Sequence, residues 1–239
     1  MSAADAAVPA ARRNELAASL AAVRARVDRA LHDAGRTDDV TLVVVTKFFP
    51  ASDVDLLAGL GVTDVGENRD QEASAKCGQL DHRDRLRLHF IGRLQSNKAA
   101  SVAHYADVVQ SVDRAKVAAA LDRAADARGR VLDVTVQVSL DAAPGRGGVP
   151  VAEAAALADL VAGCSALRLR GVMAVAPLGG NPREAFARLR EVADGIRADH
   201  PEAGWVSAGM SGDLEAAIAE GATHLRVGSA ILGSRPPHR

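Results

Sequence analysis

The chain has 239 residues, 48% of them hydrophobic, with 29 basic against 30 acidic side chains and a net charge of −1. That length can bury a large core, as one α/β barrel or two smaller domains. The balanced charge gives no general attraction for nucleic acid or an anionic membrane, and an aromatic share of 3% leaves few platforms for stacking bases.

Residues 1–10 carry Asp5 where a secretory signal needs basic side chains, and Pro9 interrupts them, so they read as a disordered tail. No apolar run approaches the length that spans a bilayer. Cys77 and Cys164 have neither a CxxC spacing nor a nearby histidine cluster. They therefore read as free thiols in a reducing compartment, which places the protein in the cytoplasm. Leu16, Leu20, Val23, Val27 and Leu31 recur at helical spacing between Arg12 and Ala34, and Gly35 supplies a stop. This leading helix is expected to plug the amino-terminal end of a barrel.

The first strand is expected from Val40 to Lys47, an apolar β-branched run followed by Phe48-Phe49-Pro50. It delivers one amine, Lys47, to a strand's carboxyl end, where parallel α/β folds keep their chemistry. Apolar neighbours lower an amine's pKa and make it a better nucleophile towards carbonyls. The plain alternative is a lysine snorkelling to solvent. Further strands are expected at Thr63 to Glu67, Leu86 to Gly92, Asp107 to Val112, Leu132 to Leu140, Leu169 to Val175, Trp205 to Ala208 and His224 to Gly228. Between them lie alanine-rich amphipathic stretches such as Arg114 to Arg128, Pro150 to Ala162, Pro182 to Asp199 and Gly212 to Gly221. Eight βα units without a flexible linker predict one closed (β/α)8 TIM barrel over residues 11–235 with an extra N-terminal helix. An open doubly wound sheet is the alternative, but no GxGxxG follows the first strand.

Polar residues gather at these strand ends: Lys47, Glu67-Asn68, His89, Ser111 with Asp113, Met210-Ser211 and Arg226 to Ser229. Glu67 reads equally well as a helix cap, His89 as a hydrogen-bonded core residue and Met173 as core filler. After the seventh strand comes Gly209-Met210-Ser211-Gly212, and after the eighth Gly228-Ser229-Ala230. Loops after the last two strands form the recurrent phosphate site of such barrels. Ordinary serine N-caps are the alternative. A phosphate cradle facing a partly buried lysine describes a site for pyridoxal 5'-phosphate, whose aldehyde would form a Schiff base with Lys47.

Thr46-Lys47, Gly66-Glu67-Asn68-Arg69, His89-Phe90-Ile91-Gly92-Arg93-Leu94-Gln95-Ser96-Asn97-Lys98, Gly209-Met210-Ser211 and Arg226-Val227-Gly228-Ser229 together resemble the pyridoxal-phosphate homeostasis family of the YggS/PROSC type. The resemblance covers about residues 13–235. It implies a barrel like the cofactor domain of alanine racemases, and a cytosolic carrier that passes pyridoxal phosphate to apo-enzymes without established turnover of its own. By matching position it implies that Lys47 is the aldimine lysine, that Asn68 approaches the cofactor, and that Arg226 faces the pyridine nitrogen. Ser211, Gly228 and Ser229 match phosphate contacts, and Met173 belongs to the cofactor face. Arg146 stands in a loop where some members carry a lysine, and a guanidinium cannot replace an amine nucleophile. An amino-acid racemase is the alternative activity, but racemisation needs acid/base groups on both ring faces. The single tyrosine, Tyr105, is expected away from the mouth. A class I aldolase-type barrel binding a sugar phosphate is a third reading. The missing racemase-type second domain favours a monomer.

Overall fold

The computed structural model describes residues 3–141 and 147–234, residues 3–9 by backbone alone. Valine-rich segments with buried side chains on both faces form the strands, as expected of a parallel sheet covered by helices. In chain order they are β1 (Thr41–Val45), β2 (Asp64–Glu67), β3 (Arg87–Phe90), β4 (Val108–Val112), β5 (Leu132–Ser139), β6 (Val149–Pro150), β7 (Leu167–Met173), β8 (Trp205–Ser207) and β9 (His224–Val227). β6 is a two-residue strip beside the end of β5. The other eight pair in parallel, β1 with both β2 and β9, and the pairing of β4 with β5 closes the ring. The expected TIM barrel is therefore the fold.

The helices that cover the barrel include α2 (Ala51–Gly59), α3 (Asp70–Cys77), α4 (Ala99–Tyr105), α5 (Ala115–Asp126), α6 (Ala154–Ala162), α7 (Pro182–Asp199), α8 (Leu214–Ala219) and α9 (Ser229–Leu232). The leading helix, α1 (Ala3–Asp33), begins nine residues before its expected start at Arg12, within the segment read as a tail, and does not plug the barrel's amino-terminal end. It packs in the outer layer against α2, α8 and α9. The physical reason is the shortness of α9: one turn cannot cover the seam between β9 and β1, so the stripe of Leu16, Leu20, Val23 and Val27 is buried there instead. Arg12 ties α1 to Asp53 of α2 and to the Leu232 carbonyl, and Arg36 beyond its end donates to the carbonyls of Ile218 and Ala222.

The amino-terminal end of the barrel is closed by side chains. The Trp205 and His224 rings lie 4.2 Å apart, and the Arg170 guanidinium sits 4.7 Å from the Trp205 ring centre. Burial pushes the His224 imidazole down to about 3, with Arg87 and Arg170 acting in the same direction and Asp64 against it. The unfolded chain takes up this proton near pH 6.5, whereas the folded chain resists it, so the stability contribution is complete above pH 6.5 and lost as pH falls towards 3. Between pH 6.5 and pH 5 the loss should be about 2 kcal/mol. Urea unfolding at pH 7 and pH 5 checks this: His224→Gln should narrow the difference between the two conditions. An undiminished difference would show that His224 titrates normally.

Candidate functional site

A cavity of about 430 Å³ opens at the carboxyl ends of the strands. Lys47, Asn68 and Met173 line it together with Arg226, Ser211, Gly228 and Ser229. All the residues that the sequence assigns to one site thus meet in one cavity. Val45, Phe48, Phe49, Ile91 and Val175 supply apolar walls, and Gln137 adds an amide.

Lys47 stands two residues beyond the end of β1, in a turn where the Phe49 N–H donates to the Thr46 carbonyl at 3.1 Å. Phe48 occupies the left-handed region, with φ 72°. For a bulky residue that conformation costs roughly 1–3 kcal/mol and persists only where the surroundings enforce it. Here the enforcing group is a buried ammonium. Lys76 Nζ on α3 donates to the Thr46 carbonyl at 2.9 Å, to Glu67 Oε1 at 2.6 Å and to Glu72 Oε1 at 3.2 Å. The Thr46 hydroxyl donates to the same Glu67 oxygen at 2.6 Å, and Glu72 accepts from the Phe48 N–H. The peptide carrying the half-buried Lys47 is therefore clamped from three sides. Glu67 is no helix cap. Burial raises its carboxyl pKa while Lys76 opposes the shift, and its second oxygen has no hydrogen-bond partner among the described residues.

Arg226 forms part of the cavity floor and is otherwise buried. Its guanidinium donates to Ser207 Oγ at 2.6 Å and to the Ala174 carbonyl at 2.8 Å. Burial pushes its pKa down to about 10, against the opposing charge of Asp213. At the other side Ser229 Oγ lies 3.3 Å from Ser211 Oγ, which also accepts from the Ala230 N–H. The helices that start here, α8 and α9, have six and four residues. Their dipoles are short, so the two hydroxyls and the local N–H groups carry the capacity for an anion.

Two glycines allow the close approaches this geometry needs. A Cβ at Gly228 would lie 3.2 Å from the Val45 carbonyl oxygen, and one at Gly92 would lie 2.0 Å from the Asn68 carbonyl oxygen. Gly92 thereby lets the loop after β3 press Asn68 into place.

Several polar strand-end residues do not reach the cavity. Glu67 points outward to Lys76 on α3, His89 points into the barrel interior, the Ser111 hydroxyl is buried without a partner among the described residues, and Asp113 pairs with Arg114. The Tyr105 hydroxyl is turned towards Asp70 at 3.4 Å, and burial raises its pKa. Among the described residues that line the cavity, Lys47 and Arg226 alone carry titratable side chains. Arg146 lies outside the described residues. Sequence reading missed Lys76, whose spacing of four from Glu72 signals a pair but not its burial. It also missed Gln137, whose position on β5 carried no motif; its amide donates to the Gly147 carbonyl at 2.9 Å.

The alanine racemase N-terminal domain family matches residues 18–236. The pyridoxal phosphate homeostasis protein of Corynebacterium glutamicum is 45% identical over 222 residues, covering 90% of this chain and 99% of its own. The Escherichia coli protein of the same name is 36% identical over 232 residues, covering 93% and 97%. Among solved structures, PipY of Synechococcus elongatus with PLP bound superimposes with a TM-score of 0.80 at 33% identity, over 91% of this chain and all of its own. Alanine racemase from Corynebacterium glutamicum shares the fold, with a TM-score of 0.69 at 13% identity over 92% of this chain and 60% of that one.

The clamp under Lys47 yields a stability prediction. Lys76→Met leaves Glu67 buried without its cation and should cost about 3–5 kcal/mol in urea unfolding. Adding Glu67→Gln should restore most of that loss. Equal stability of the single and double variants would show that the pair is not the source.

Proposed function

The chain belongs to the pyridoxal phosphate homeostasis proteins, and on that premise we propose that it binds pyridoxal 5'-phosphate reversibly at the barrel mouth, stores it and hands it to apo-enzymes without substantial turnover. The observation that carries this reading is the convergence of a half-buried amine, two hydroxyls and a buried guanidinium on one apolar-walled cavity. The donor set fits the cofactor, and the volume lies within the range of small-molecule sites.

When bound, the cofactor supplies an aldehyde that condenses reversibly with a primary amine. Lys47 provides that amine, and the clamp of Lys76, Glu67 and Glu72 holds its turn rigid. Phe48, Phe49 and Ile91 form the apolar wall beside that amine. Ser211, Ser229 and the amides around Gly228 hold the phosphate. Asn68 and Met173 would bound the ring, and Arg226 would face its nitrogen.

A permanent cation at that position disfavours protonation of the nitrogen and weakens the ring as an electron sink. Racemisation also needs a second acid/base group. Among the described residues, Lys47 and Arg226 are the titratable side chains along the wall, and Tyr105 is turned onto Asp70. We take the working unit as a single domain over residues 11–235, a monomer, acting in the cytoplasm.

Borohydride treatment of cofactor-loaded protein should fix an adduct on Lys47, located by peptide mass, and Lys47→Ala should abolish it. An adduct found mainly on Lys98 or Lys116 would overturn the assignment. Hydrogen bonds to an anion contribute roughly 1.5–3 kcal/mol each, so removing both hydroxyls with Ser211→Ala and Ser229→Ala should weaken binding by about two orders of magnitude. Equal affinity of the wild type for pyridoxal with and without its phosphate would remove that basis. Enantiomer-resolved assays with alanine and a panel of amino acids should show negligible turnover. Lys47-dependent turnover above about 1 per second would establish an enzyme instead.

A further inference from the structure

Beneath Arg226 an unbroken row of buried polar side chains from five strands crosses the barrel interior. Arg226 on β9 donates to Ser207 Oγ on β8 at 2.6 Å, and the Ser207 hydroxyl donates to Gln110 Oε1 on β4 at 2.7 Å. Gln110 Nε2 lies 2.8 Å from His89 Nδ1 on β3, and His89 Nε2 lies 2.9 Å from Asp64 Oδ1 on β2. The far end is secured by Thr63, whose hydroxyl donates to Asp64 Oδ2 at 2.7 Å, and the middle by Thr135, which donates to the Gln110 carbonyl at 3.0 Å.

The chemistry of the two ends decides the direction of every link. A guanidinium only donates and a carboxylate only accepts. From the Asp64 end, a neutral His89 donates from Nε2 and accepts at Nδ1, so Gln110 turns its NH2 to His89 and its oxygen to Ser207. The Ser207 hydroxyl donates to that oxygen while accepting from Arg226. The neutral imidazole is in keeping with burial pushing His89 down and with an Asp64 carboxyl held below its ordinary value by His89 and Thr63 against its own burial.

We infer that Gln110, His89 and Asp64 are positioning residues, a one-way hydrogen-bond relay that orients Ser207 and through it the Arg226 guanidinium. The inference rests on the reading of the cavity as a pyridoxal 5'-phosphate site in which Arg226 faces the ring. Among the described residues no carboxylate forms an ion pair with this buried cation, whose hydrogen-bond acceptors are a hydroxyl and a carbonyl. Successive hydrogen bonds polarise one another in a low-dielectric interior, so the relay connects the guanidinium to the Asp64 carboxylate at the opposite end of the barrel. Without it, Ser207 could rotate and Arg226 would lose its fixed aim.

The direction is tested on cofactor-free protein by 15N NMR of labelled histidine at pH 7, with His89 assigned by its loss in His89→Asn. The wild type should carry the proton on Nε2 and none on Nδ1. Gln110→Glu sets an acceptor before each ring nitrogen and should render His89 doubly protonated. A wild-type proton on Nδ1, or no change with Gln110→Glu, overturns the relay. Positioning is tested by the Kd for pyridoxal 5'-phosphate and the visible absorbance maximum of loaded protein. Gln110→Met should raise the Kd about tenfold, the worth of one net hydrogen bond, and shift the band. Val109→Ala, a core change on the same strand, should leave the band in place. If Gln110→Met does not fold, Gln110→Glu gives the same two readouts. An unchanged Kd and band overturn the positioning role. Wild-type protein with the expected tautomer but no cofactor binding would sink the reading of the cavity and the positioning role with it, while the relay's direction would stand.

Discussion

The site exists because β4 pairs with β5, with Val108 opposite Asp133 and Val109 opposite Val134, and so joins the two ends of the sheet. Lys47 follows β1, Asn68 follows β2, Met173 ends β7, and Ser211, Arg226 and Ser229 belong to the last two strands and their loops. In an open parallel sheet these positions would spread along one edge. Closure curls that edge into a ring and brings an amine, a guanidinium and two hydroxyls around a single cavity. The same closure requires a continuous outer layer, which is why α1 is recruited to the seam that the one-turn α9 leaves bare.

Among the described residues two cations are buried, Lys76 on α3 and Arg226 inside the barrel, and the protein treats them differently. Lys76 meets the Glu67 and Glu72 carboxylates directly and donates its remaining hydrogen bond to the peptide before Lys47. Its ion pair holds one end of the site by brute proximity, and Phe48 can occupy a left-handed conformation because the clamp enforces it. Among the described residues Arg226 hydrogen-bonds neutral oxygens, and its hydrogen-bonded path to a carboxylate runs through Ser207, Gln110 and His89. A direct carboxylate there would neutralise the charge that faces the cavity. A distant one leaves that charge available while still fixing its direction.

The homeostasis relatives and the racemases share a barrel, and likeness at 13% identity speaks for fold alone. What distinguishes chemistry on a shared barrel is the set of side chains around its mouth. Here that set is an amine, a guanidinium, two hydroxyls and apolar walls, and on the proposed reading it would hold an aldehyde cofactor.

Much of this was legible in the sequence because periodicity and strand-end chemistry are local properties. Short β-branched runs alternating with amphipathic alanine-rich stretches determined eight βα units, and the glycine–serine loops after the last two strands, with Lys47 after the first, marked the site. What the sequence could not decide were contacts between residues far apart in the chain. Glu67 was as readily a helix cap until α3 folded Lys76 beneath it, and Gln137 carried no motif until β5 brought it to the wall. The leading helix had an apolar stripe but no stated partner, and only the gap beside α9 decided where it packed. His89 read as a core residue from its apolar strand. That its ring joins Asp64 to the floor of the cavity depends on five strands meeting inside one barrel, and a side chain's partners across a barrel are set by tertiary register, not by neighbours in sequence.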